Sequence, residues 1–95
     1  MHIITKKRII EAVDQHKDCE TALLGWHKVM KDAEFKSFSE LKAQFNSVDK
    51  VGDVFVFNIG GNKLRLIAAI HFNTKKVFIR TILTHKEYDN DKWKV

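Results

Sequence analysis

The chain has no proline, and neither a repeat nor a low-complexity segment interrupts it, so nothing marks a linker or a boundary between domains. Its single cysteine, Cys19, excludes an internal disulfide and a cysteine-built metal cluster, and is expected to be a small buried or half-buried hydrophobe. Long apolar runs are missing too: none approaches the roughly 18 residues that would suggest a membrane span. The opening MHIITKKRII lacks the apolar core of a signal peptide, which points to a reducing cytoplasm and no membrane partner. No HExxH, CxxC, Walker loop or GxSxG occurs, so the pattern implies no resident metal or cofactor.

What remains is enough for one small domain. Across 95 residues, 44% are apolar and seven are Phe, which supports a packed core. Seventeen Lys and Arg against twelve Asp and Glu leave a formal charge of +5, spread without a polybasic tail. Such a surface favours polyanions, because each phosphate it neutralises releases counterions.

The first half reads helical. Thr5 can cap a helix with Ile9, Ile10 and Val13 on one face. Leu23, Leu24, His27 and Met30 recur at helical spacing in a second segment, roughly residues 20–31. Ser37-Phe-Ser-Glu40 has the form of a capping box, followed by Phe38, Leu41 and Phe45 on one side of a short third helix.

The second half changes to three strands, VFVFNI, NKLRLIAAIH and KVFIRTILT, joined by two hairpin turns. With Gly60 and Gly61 as the central turn residues, Phe57 is expected opposite Leu64 and Phe55 opposite Leu66. A loop over Phe72–Lys75 pairs Ile70 with Val77, Ala68 with Ile79 and Leu64 with Leu83. This register sets Arg80 opposite Ile67 and Arg65 opposite Ile82, diagonal neighbours about 7–8 Å apart on the face away from the core. It also sets Thr84 opposite Lys63, so that Lys63, Arg65, Arg80 and His85 bound one open face.

Strand arginines are commonly solvated decoration. The functional reading rests on their convergence with the segment His85-Lys86-Glu87-Tyr88. Arginine grips phosphate oxygens through paired hydrogen bonds, and lysine supplies a mobile charge. Histidine gives or takes a proton near neutral pH, and tyrosine can orient a hydroxyl or stack on a base. Cutting RNA needs the 2′-hydroxyl deprotonated, the phosphorane stabilised and the 5′-oxygen protonated, and these residue types suffice in kind. His27 reads as a packed or rim residue, His2 and His16 as solvent-exposed, and His71 as an RNA contact at the far end of its strand.

The stretches MHIIT, VFVFNIGGNKLRLIAAI and FIRTILTHKEYDN together resemble the HigB toxins, a branch of the RelE-like superfamily of bacterial toxin-antitoxin systems. The resemblance implies an α+β fold in which N-terminal helices pack on a small curved antiparallel sheet, as a single domain over 1–95. It implies a ribosome-dependent endoribonuclease that cuts messenger RNA without a metal and is restrained by a HigA-type helix-turn-helix antitoxin, with a dimer of toxin-antitoxin pairs as the assembly. Carried onto this chain, Arg65 and Arg80 hold the scissile phosphate, His85 is the principal acid or base and Tyr88 orients the nucleophile or a base. Lys63, Lys86, Asn62 and His71 would contact the RNA. Two alternatives stay open: a non-cleaving toxin of the same fold that poisons gyrase, and an inactive chain kept as a binding partner. With the chain stopping at Val95, the C-terminal helix of some relatives is expected to be short or absent.

Overall fold

The computed structural model describes residues 1–90. Its elements in chain order are β1 (His2–Ile3), α1 (Lys6–Gln15), α2 (Glu20–Asp32), α3 (Phe38–Gln44), β2 (Asp49–Val51), β3 (Val54–Ile59), β4 (Leu64–His71), β5 (Lys76–Thr84) and α4 (His85–Asp89). A 3-10 turn at Lys17–Cys19 links α1 to α2. The strands form one sheet ordered β1-β5-β4-β3-β2. The expected α+β class holds, with one amendment: β1 runs parallel to β5, so the sheet is mixed rather than wholly antiparallel.

The three long strands and the three N-terminal helices lie where the apolar periodicity puts them, but the buried stripes are rotated. On α1 the buried residues are Ile9 and Ala12, and Ile10 is 60% exposed. On α2 they are Leu23, Trp26 and Met30, whereas Leu24 is exposed and His27 sits part-buried at the rim. Trp26 is selected because the largest apolar side chain gains most from burial, here edge-on against Phe57 at 5.3 Å between ring centroids. Cys19 is buried, as its isolation in the sequence suggested.

Ser37 caps α3 by accepting from the Glu40 amide at 3.4 Å, but the Glu40 carboxylate accepts from Lys36 N rather than from Ser37, so the box is half made. The C-terminus of α2 is closed by the Met1 ammonium, which donates to the carbonyls of Met30, Lys31 and Ala33 at 3.0, 3.1 and 2.6 Å. A positive charge there suits both the orphan carbonyls and the helix dipole.

Two registers differ from those expected. Across β3 and β4 the pairs are Ile59 with Leu64, Asn58 with Arg65 and Phe57 with Leu66, because the turn spans Gly60 to Lys63 rather than the glycines alone. The slip is two residues, so every side chain keeps its face. Gly60 and Gly61 both adopt positive φ, at 63° and 69°. The loop at Phe72–Lys75 is as expected, with Ile70 opposite Val77 and Ala68 opposite Ile79.

Beyond that point β5 carries a bulge between the partners of Ile67 and Ala68. Thr81 pairs with Ile67, Ile82 with Leu66, Leu83 with Arg65 and Thr84 with Leu64. Arg80 is therefore the unpaired extra residue and not the partner of Ile67. One added residue reverses the alternation downstream, so Val77, Ile79 and then Ile82 pack on the helix-side core, while Leu83 passes to the face of Arg65.

Candidate functional site

The face of the sheet away from the helices is apolar at its centre, where Val56, Ile67 and Ala69 are buried without belonging to the helix-side core. Polar groups gather at one end. Arg65 is buried there to 8% exposure, directly across from Asn58 on β3 and Leu83 on β5. With a turn of two residues, the expected pairing of Phe57 with Leu64 and Phe55 with Leu66 would set Val56 opposite Arg65, the place Asn58 occupies.

α4 turns off β5 beside Arg65. Thr84 accepts from the Glu87 amide at 3.2 Å, and the Glu87 carboxylate accepts from Thr84 N at 2.9 Å, a complete capping box. The amide of His85 donates to Lys63 O at 3.3 Å, which ties the start of α4 to the β3–β4 turn. This one-turn helix presents His85 and Tyr88 on its Arg65 side. Arg65 Nη2 lies 3.2 Å from His85 Nδ1, Arg65 Nη1 donates to Leu64 O at 3.2 Å, and the guanidinium carbon stands 5.8 Å from the centroid of the Tyr88 ring. That last separation is within cation–π reach. On its other side the imidazole Nε2 is 3.6 Å from Asp89 Oδ2.

Three of the four residues proposed for catalysis, Arg65, His85 and Tyr88, thus form one cluster. Arg80 is exposed at the bulge, between the partners of Ala68 and Ile67 and away from the Leu64–Arg65 end of β4, and has no hydrogen bond or ion pair among the described residues. Lys86 is exposed on α4, and Asn62 is exposed in the turn. His71 lies at the opposite end of β4 with its ring edge-on to Phe78 at 5.4 Å.

Lys63 is held elsewhere. Its ammonium pairs with Asp18 at 2.9 Å, on the 3-10 turn beside the helices. The hydrogen bond to Lys63 lowers the Asp18 carboxyl below its ordinary value, and the same bond raises the Lys63 ammonium. Two further groups near the site escaped sequence reasoning, Asn58 and Asp89. Asp89 was within reach of the sequence, since Thr84-His-Lys-Glu87 repeats the capping pattern recognised at Ser37 and would have placed His85 and Asp89 four apart on a helix. Among the described residues no group of three or more His, Cys, Asp or Glu gathers that could hold a metal ion, and no helix is long and apolar enough to cross a membrane.

A buried guanidinium, an imidazole and a phenol at the end of a basic sheet define a class of small α+β domain equipped to bind anions and move protons. Residues 19–91 match the model of HigB_toxin, described as a RelE-like toxic component of a toxin-antitoxin system. The chain is 38% identical over 92 residues to the mRNA interferase toxin HigB of Escherichia coli strain K12, a match spanning 94% of this chain and 88% of that protein. It is equally similar to the mRNA interferase HigB of Shigella flexneri. Its identity to the mRNA interferase HigB of Escherichia coli O6:H1 is 34%, over 94% of this chain and 89% of that relative. The chain belongs to the HigB toxin family, and membership implies an antitoxin as partner.

Proposed function

We propose that this chain is an mRNA endoribonuclease that acts on translating ribosomes in the cytoplasm and is neutralised by a HigA-type antitoxin. The observation that carries the reading is the placement of Arg65 against both His85 and Tyr88: a cation 3.2 Å from an imidazole nitrogen and 5.8 Å from the centre of an aromatic ring. Arg65 and Arg80 hold the scissile phosphate and stabilise the charge that builds on it. His85 is the principal acid or base. Tyr88 orients the nucleophile or stacks on a base, while Lys86, Asn62 and His71 contact the flanking RNA; Lys63, engaged with Asp18, is left out of that set.

The similarity to mRNA interferases over nearly the whole chain supports messenger RNA as the substrate. The wet, basic end of the sheet supports a polyanion docking there. Expression in Escherichia coli, followed by sequencing of RNA ends, tests the proposal. New 5′ ends inside codons, lost in H85A and in R80A while both variants stay folded, are the expected result. Unchanged growth arrest in both variants, or DNA damage without new RNA ends, would overturn it.

A further inference from the structure

The cluster also constrains where the proton of His85 sits. A guanidinium has only N–H donors and no acceptor, so an arginine nitrogen 3.2 Å from Nδ1 requires the lone pair of that nitrogen. The neutral ring then carries its hydrogen on Nε2, and Nε2 faces the carboxylate of Asp89 at 3.6 Å. Two acidic groups on elements around the site are already engaged, Glu87 with the amide of Thr84 and Asp18 with Lys63. Among the described residues, Asp89 is the carboxylate that faces the imidazole. It is also poorly placed for the helix itself, because an acidic side chain in the last turn opposes the helix dipole.

We propose that Asp89 is a positioning residue that acts through His85, holding the imidazole in its Nε2–H form so that Nδ1 is the atom presented to the substrate. The inference rests on His85 being the base of the proposed cleavage. In the RNA-free chain Nδ1 is covered by Arg65. An arriving phosphate offers the guanidinium a better acceptor, Arg65 turns to it, and Nδ1 is uncovered at the moment a 2′-hydroxyl is beside it. The 2′-oxygen forms its bond to phosphorus, its proton passes to Nδ1, and the bond from phosphorus to the 5′-oxygen breaks as that oxygen takes a proton from water. The products are a 2′,3′-cyclic phosphate and a 5′-hydroxyl. The positive ring left behind directs Nε2–H at Asp89, the arrangement by which an aspartate serves the histidine of a hydrolytic triad.

The test uses the full chain with 15N-labelled histidine, read at about pH 8 by long-range proton–nitrogen correlation, with H85A to identify the signal. The spectra are read in an R65A background, where Nδ1 has lost its donor: the expected signal there is one tautomer, Nε2–H, for His85, while D89A added to that background shows a mixture and D89E returns the single form. In a translation extract D89A lowers kcat by about tenfold with KM little changed, and D89E recovers part of the loss. An unaltered tautomer on adding D89A to R65A overturns the inference whatever the activity, and an unaltered kcat in D89A overturns it even if the tautomer shifts. Full cleavage by H85A removes the base and the inference together. An inactive H85A beside a D89A of unchanged spectrum sinks the role of Asp89 alone.

Discussion

Thr5 holds both backbone atoms of Ile79, accepting from its amide at 2.6 Å and donating to its carbonyl at 3.0 Å. Its hydroxyl makes no cap bond to α1, the task its position suggested. The bonds fall one residue before the bulge at Arg80, so Thr5 anchors the point where β5 changes phase. T5V should cost about 1–3 kcal/mol by leaving two part-buried backbone groups unpaired. Denaturant midpoints of T5V and T5S check this, with T5S close to the parent.

The two arginines should separate stability from activity. R80A removes an exposed side chain without described partners, so its unfolding free energy should stay within about 0.5 kcal/mol of the parent. Its cleavage rate should nevertheless fall on the order of 10²-fold or more. R65A should lose cleavage as well, and should also lose about 1–3 kcal/mol because Leu64 O and the imidazole forfeit a buried donor. Parallel melts and RNA-end counts distinguish the two.

Removing the cap of α4 should disable the cluster without unfolding the protein. T84A deletes the acceptor for the Glu87 amide, a change worth about 1 kcal/mol, on a helix of five residues. Amide exchange at His85–Asp89 should speed up while β4 stays protected, and cleavage should fall with the protection of α4. T84S should preserve both.

The β3–β4 turn should tolerate substitution unequally. Each of Gly60 and Gly61 has a left-handed backbone that costs a residue with a side chain about 1 kcal/mol or more. At Gly60 an added Cβ would also come within 3.1 Å of Cys19 Sγ, whereas at Gly61 it meets nothing within 4 Å. G60A should therefore be the more damaging, and C19A should relieve part of that damage in a double-mutant cycle.

Burial, reinforced by Lys6 and Lys31, holds the His27 imidazole below its ordinary 6.5. On acidification the unfolded chain takes up that proton first. The unfolded state then binds more protons, and stability falls as pH drops below about 6.5 until the folded imidazole has titrated as well. H27Q should flatten this part of the pH dependence and leave stability at pH 8 little changed. Urea melts of parent and variant at several pH values between about 5 and 8 measure the difference.

Much of this structure was legible in the residues, and the failures have physical causes. Apolar periodicity located α1, α2, α3 and the three long strands, and the glycine pair located a turn. It could not reveal β1 or β2, which are two and three residues long and too short to alternate visibly. The bulge at Arg80 uses no glycine and left no local trace, so the phase of Ile82 and Leu83 was inverted. The pairing of Lys63 with Asp18 joins residues 45 apart, beyond any local pattern. His85 and Tyr88 were singled out by their chemistry; that they face Arg65 follows from a helix whose cap was in plain view and passed over.

The parallel pairing of His2 and Ile3 with Lys76 and Val77 has a temporal meaning. Antiparallel hairpins close as soon as their second strand exists, but this edge pairs residues more than 70 apart and must wait for Lys76 and Val77. α1 gains its strand partner, and Thr5 its bonds to Ile79, only then. A nascent chain therefore cannot close this edge of its sheet before Lys76 and Val77 have been joined.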